Sequence, residues 1–143
     1  MEVRNFINGK FINSISKKKI PVLNPANQNL IESIDEALDN EIDLAFTAAT
    51  NAFKSRLLQD MNAQDKSTMM RLIASKLRKY KKEGGILLSK ENGKTIDQCE
   101  NEFEGAAKIF DYYAGLTDKI ENKLIPSGRD TFNYILLEPF GVS

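Results

Sequence analysis

The chain has 143 residues, of which 41% are hydrophobic and 28% charged, and its 20 basic side chains balance 20 acidic ones. That profile suits one ordinary globular domain, lies far from the disordered class, and gives no reason to expect a nucleic-acid partner. There is no histidine, which removes the commonest general base and the commonest metal ligand.

The first twelve residues read as a β-hairpin. Val3, Phe6 and Ile7 lie before Asn8-Gly9, and Phe11 and Ile12 after it. Asn-Gly between short apolar runs predicts a type I′ turn, which needs positive φ at both central residues. Lys17-Lys18-Lys19 reads as a solvated basic turn. Ile20–Leu23 reads as a short strand stopped by Asn24-Pro25, with Leu30–Ile34 as its partner. The period then changes. Ile42, Ala45, Phe46, Ala49 and Phe53 recur at three- and four-residue steps, so residues 41–53 are predicted to be an amphipathic helix capped by Asn40.

A second helix is expected from about Ala63 to Lys82, capped by Asn62 and stopped by Gly84-Gly85. Its buried stripe is predicted as Met70, Ile73, Leu77 and Tyr80. Residues 86–91 read as a short further helix ending at Asn92-Gly93. The third long helix starts at the Thr95-x-x-Gln98 capping box. Ile96, Cys99, Phe103, Ala106, Phe110 and Tyr113 form its stripe, and Gly115 its stop. A loop through Pro126 and Gly128 leads to an apolar strand, Thr131–Leu137. Pro139 and Gly141, just beyond it, suggest a chain that bends and continues.

Candidate chemistry is sparse. Cys99 is the single thiol, so no internal disulfide forms, and a reducing cytoplasm is the expected setting. The N-terminus has no signal-peptide pattern and no stretch is long enough to span a membrane. Cys99 falls on an apolar helix stripe beside Glu100 and near Glu102. Burial and acids both raise a thiol pKa, the opposite of what a nucleophile needs, so it reads as a core filler. Glu100, Glu102 and Glu104 point in different directions on a helix and read as a solvated face. Lys76, Arg78, Lys79, Lys81 and Lys82 end a helix, where cations suit the macrodipole. Gly84-Gly85 and Gly93-Lys94 match neither common phosphate-loop pattern. The residues alone stop at a mixed α/β domain without an active site.

Seven short motifs carry the reading further. They are Phe6-Ile7-Asn8-Gly9-Lys10-Phe11, Leu23-Asn24-Pro25-Ala26, the stretch Ile42–Ala49 with Ala52-Phe53, Arg71–Leu77, Glu91-Asn92-Gly93-Lys94-Thr95, Tyr112-Tyr113-Ala114-Gly115 with Lys123-Leu124-Ile125-Pro126, and Glu138-Pro139-Phe140-Gly141-Val142. In this order and spacing they resemble the aldehyde dehydrogenase superfamily over essentially the whole chain. The resemblance implies an α/β fold: the N-terminal part of the coenzyme-binding domain in residues 1–130, and the first strand of an oligomerisation hairpin in residues 131–143. The first part would hold a β-hairpin, short strands and three main helices.

The resemblance also implies the parent chemistry. Enzymes of this family oxidise an aldehyde to an acid or acyl-thioester with NAD or NADP. A cysteine thiolate attacks the carbonyl, hydride leaves for the nicotinamide, and the thioester is hydrolysed with a glutamate base. An asparagine side chain and a backbone N–H hold the oxyanion. In the family all of these groups, and the coenzyme motif, follow the Glu-Pro-x-Gly-Val strand. This chain is therefore expected to hold no catalytic or coenzyme-binding residue, to bind no cofactor and to be inactive by itself.

Supporting roles do carry over. Glu102 and Gly105 match positions nearest the aldehyde entrance tunnel, which a small residue would widen, although close helix packing is the favoured reason for Gly105. Val22, Leu23 and Glu91 match a monovalent-cation site, although Glu stands where Asp is common. Thr131, Phe132, Tyr134, Ile135 and Leu137 match the oligomerisation strand, so the full-length enzyme is expected to be a homo-oligomer. The rival readings are a non-enzymatic helical binding module and a regulatory piece docking on a full-length homologue through Thr131–Leu137.

Overall fold

The computed structural model describes residues 4–16 and 18–143; Val3 and Lys17 of the reading above lie outside them. The chain begins with the predicted hairpin. Strands β1 (Asn5–Ile7) and β2 (Lys10–Ile12) run antiparallel, with Phe6 opposite Phe11. Asn8 and Gly9 take φ of 51° and 75°, as a type I′ turn requires. The Phe6 and Phe11 rings meet edge to face at 5.0 Å. Strands β3 (Lys19–Leu23) and β4 (Leu30–Asp35) form a second antiparallel pair with a bulge at Val22/Leu23. Pro21 is tolerated because neither strand has a second partner. Lys19 belongs to β3 and pairs with Asp35, rather than to a solvated turn. Asn24 builds the connection: its side-chain oxygen accepts from Ala26 N–H at 2.9 Å and its carbonyl from Gln28 N–H at 2.7 Å.

Helix α1 runs Asp39–Lys54. Its cap corrects the expectation. Asn40 lies inside the helix, and Leu38 is the capping residue, with φ −88° and ψ 160°. A leucine has no acceptor to offer, so Glu41 reaches back and accepts the Leu38 N–H at 2.8 Å. Arg56, left-handed at φ 56°, turns the chain into the short α2 (Leu57–Asp60). Helix α3 (Ala63–Lys79) is capped by Asn62, whose Oδ1 accepts from Asp65 N–H at 2.9 Å.

The glycine pair does not stop this helix. The break falls at Tyr80, and α4 (Lys81–Asn92) carries Gly84-Gly85 in its interior. The reason lies in tertiary packing. A Cβ on Gly84 would fall 2.2 Å from the Phe103 ring, and one on Gly85 would fall 2.8 Å from Glu100 Cγ. Gly93, at φ 78°, ends α4 as expected.

Helix α5 (Ile96–Ala114) starts at the Thr95–Gln98 capping box, both bonds 3.3 Å. It ends at Gly115, but with φ −77°, so the stop does not use a left-handed glycine. The apolar strand is shorter than expected: β6 is Asn133–Ile135. It pairs with β5 (Lys123–Ile125), a segment read above as loop.

The described core is small and made of small side chains: Ala74, Cys99, Ala107 and Ala114 are buried, and Gly85 with them. They lie where α3 and α4 press on α5. Several expected stripe residues are uncovered: Ile73, Tyr80, Ile96 and Tyr113, like Ile42 and Phe46 of α1, are exposed. Their periodicity is real, but no described element of this chain covers them fully.

Candidate functional site

Thr95 orients the start of α5, and the helical repeat then sets Gln98, Asn101, Glu102, Gly105, Ala106 and Ile109 along one face. With Lys94 these residues line an open groove of about 890 Å³. Both tunnel candidates, Glu102 and Gly105, therefore fall in one groove. A Cβ on Gly105 would meet nothing within 4 Å. Close packing against a described element is thus not why glycine stands there, which corrects the favoured expectation for Gly105. The glycine leaves the groove floor low instead.

Lys94 is the charged groove residue that sequence reasoning missed. Its ammonium pairs with the Glu102 carboxylate, both side chains about half exposed. The hydrogen bond to Glu102, and then its charge, raise the Lys94 pKa. The available signal was the Gly93-Lys94 step ahead of the Thr95 cap, from which the long Lys94 side chain reaches Glu102, eight residues on and about two turns along α5. The three glutamates diverge, as expected. Glu102 turns to Lys94, Glu104 to Arg78 at 3.1 Å, and Glu100 lies beside Gly85.

The cation candidates come from two segments that the fold brings together. Val22 and Leu23 sit at the β3 bulge, just before the Asn24-Pro25 turn. Glu91 lies in the last turn of α4. A Cβ built on Gly93 would fall 3.0 Å from Pro25 Cγ, so that turn rests against the α4–α5 junction. Glu91 itself is exposed. Among the described residues no group of three or more His, Cys, Asp or Glu side chains could hold a metal ion.

Cys99 is fully buried, and its Sγ lies 3.9 Å from Asn92 Oδ1. It lines neither the α5 groove nor the apolar groove between α3 and α5, in keeping with a core position. In the basic cluster, Arg78 is committed. It bonds Glu104 at 3.1 Å and Asp111 at 2.8 Å, and these bonds, Asp111 first, raise its pKa. Lys79 stands over the Tyr80 ring at 5.5 Å. The oligomerisation candidates Thr131, Phe132, Tyr134, Ile135 and Leu137 are all exposed. Phe132 and Tyr134 touch at 5.6 Å between ring centres, and β6 has no strand beyond its pairing with β5.

The chain is similar to known proteins over nearly all of its length. The model of the aldehyde dehydrogenase family matches residues 11–143. Aminoaldehyde dehydrogenase 1, peroxisomal, of Pisum sativum is 35% identical over 144 residues, covering 96% of this chain and 29% of its own length. A solved aldehyde dehydrogenase mutant from Bacillus cereus superposes with a TM-score of 0.84 at 30% identity, over 94% of this chain and 28% of that one. Betaine aldehyde dehydrogenase from Staphylococcus aureus, solved in complex with NAD+, superposes with a TM-score of 0.81 at 28% identity, over 89% and 25%. The chain thus spans between a quarter and three tenths of these relatives. No described helix is long and apolar enough to cross a membrane.

Proposed function

We propose that this chain, which belongs to the aldehyde dehydrogenase family, supplies the N-terminal quarter of an enzyme that oxidises aldehydes with NAD or NADP. Residues 1–130 are the first part of its coenzyme-binding domain, and residues 131–143 open its oligomerisation hairpin. The observation that carries this reading is the match over residues 11–143 together with the fold likeness to the Bacillus cereus enzyme.

Within that enzyme the chain is scaffold. The residues present do not fit a dinucleotide. Gly84-Gly85 is packed inside α4 against α5, and Gly93-Lys94 is a helix stop, so neither cradles a pyrophosphate. Cys99 is walled in by the three packed helices and cannot reach a carbonyl. The α5 groove, with Gly105 and Glu102, borders the aldehyde entrance. The backbone at Val22 and Leu23, with Glu91, holds a monovalent cation. Thr131, Phe132, Tyr134, Ile135 and Leu137 join subunits of a homo-oligomer. A reducing compartment, the cytoplasm, suits the single thiol; the Pisum sativum relatives carry peroxisomal names.

The test is direct. Incubated with NAD, then NADP, and a panel of aldehydes, the 143-residue chain alone is expected to give no change in nicotinamide absorbance. Robust turnover by it would sink the scaffold reading.

A further inference from the structure

The sequence holds two Asn-Gly steps, Asn8-Gly9 and Asn92-Gly93. Such a step is prone to react with itself, because glycine has no side chain to shield its amide nitrogen from the carboxamide before it. The structure sets the two pairs in opposite surroundings.

Asn92 lies in the last turn of α4, and its pair is held at both reacting ends. The Gly93 N–H, which would be the nucleophile, donates to the Ser89 carbonyl at 2.9 Å. The Asn92 carboxamide oxygen accepts from Lys94 N–H at 3.0 Å and faces Cys99 Sγ at 3.9 Å. Reaction there requires the end of α4 to open beside the buried contact of α4 with α5. Asn8 and Gly9 are both exposed. Among the described residues, neither the Asn8 carboxamide nor the Gly9 N–H has a hydrogen-bond partner. The strands they join are three residues each and pair only with one another. A two-stranded sheet of that size opens readily, and a loosened turn lets the Asn8 side chain swing onto the Gly9 nitrogen.

We propose that Asn8 is a self-modification site, where intramolecular deamidation opens the N-terminal hairpin. The Gly9 nitrogen gives its proton to solvent and bonds to Asn8 Cγ. The carboxamide C–N bond breaks, and ammonia leaves after taking a proton back from solvent, which closes a succinimide ring. Water then adds at either ring carbonyl and breaks that carbonyl's bond to the Gly9 nitrogen. The net exchange is one water for one ammonia, with no oxidant, reductant or partner. Attack at Cγ yields an ordinary aspartate, which keeps the turn, since Asp-Gly suits type I′ as Asn-Gly does. Attack at the backbone carbonyl yields a β-linked residue, whose main chain runs through Cβ and Cγ. That adds a backbone atom to a two-residue loop with no slack. The Ile7–Lys10 and Phe6–Phe11 pairing is then lost, and with it the ring contact at 5.0 Å.

The test ages the 143-residue chain in mildly alkaline buffer and maps the modified positions by peptide mass spectrometry. Labelling with isoaspartyl methyltransferase counts the β-linked product. Asn8 is expected to react about tenfold faster than Asn92 or more, a gap that needs only about 1.4 kcal/mol of extra opening cost at the end of α4. In urea, which releases both pairs, the two rates should converge. Amide hydrogen exchange in residues 5–12 is expected to quicken as the β-linked product accumulates. Asn8→Gly suits the same turn and carries no carboxamide, so its hairpin should keep slow exchange through ageing. Equal rates at Asn8 and Asn92 in the folded chain would overturn the proposal, as would a gap that persists in urea. So would a β-linked hairpin whose exchange is unchanged, or an aged Asn8→Gly chain that loses protection to the same degree.

Discussion

Gly84 and Gly105 are both helix-interior glycines, yet their surroundings are opposite. Alanine at Gly84 would drive its Cβ into the Phe103 ring at 2.2 Å, so overpacking outweighs the gain in helix propensity. Gly84→Ala is expected to destabilise the chain by about 1–3 kcal/mol in chemical denaturation. Gly105→Ala meets open space and is expected to stabilise by about 0.5–1 kcal/mol. Equal effects of the two changes would contradict the α4–α5 packing. Glu41 is a third such residue. It is 5% exposed, and its carboxylate accepts from Leu38 N–H and from Ser14 Oγ at 2.7 Å. These bonds, the Leu38 backbone first, lower its pKa. A lowered folded pKa means the stabilisation is complete above the unfolded carboxylate range, about 4.3, and is lost as pH falls through the folded value. The stability difference between the native chain and Glu41→Gln should therefore be constant near neutrality and shrink in acid. A difference that grows in acid would show the sign to be wrong.

At the scale of elements, α5 is the organiser. Arg78 on α3 spans Glu104 and Asp111 on α5, two acids seven residues apart and hence on one helix face. All three side chains keep contact with solvent, so the link is modest and screened by salt. Arg78→Ala should lower the melting temperature in low salt and lower it less at high salt; a loss independent of ionic strength would point to packing instead. Gly93 joins α4 to the Asn24-Pro25 turn. Its φ of 78° and the 3.0 Å approach to Pro25 both penalise a side chain. Gly93→Ala is expected to cost about 1–2 kcal/mol, read by denaturation. Thr95 and Gln98 were legible as a cap because a capping box is local in sequence. The pairing of Lys123–Ile125 with Asn133–Ile135 was not, since three-residue strands joined by a loop carry too little pattern to announce a partner.

The whole molecule is an assembly of small units rather than one filled core. Among the described residues the strands form three separate two-stranded sheets, and the helical unit buries mostly alanine, glycine and cysteine. Two-stranded sheets are marginal in water by themselves. Unfolding of the chain is therefore expected to be broad in chemical denaturation; a sharp two-state transition would count against this. The exposed run from Phe132 to Leu137 adds an aggregation hazard. Charged residues at Ile135 and Leu137 are expected to improve its solubility, measured by light scattering over time.

The sequence by itself determined what depends on neighbours along the chain. The Asn8-Gly9 turn, the Asn62 and Thr95 caps, the Gly93 stop and the helical period of α1, α3 and α5 follow from short-range sterics and hydrogen bonding, and the ordered motifs pointed to the family. Only the tertiary structure decided what depends on residues distant in sequence. It moved the α3 break from Gly84-Gly85 to Tyr80, because those glycines answer to Phe103 and Glu100. It moved the α1 cap from Asn40 to Leu38, whose N–H is held by Glu41, itself tied to Ser14. It also left Ile42, Phe46 and Tyr80 uncovered: periodicity tells which face of a helix is apolar, whereas burial requires a surface to lay it on.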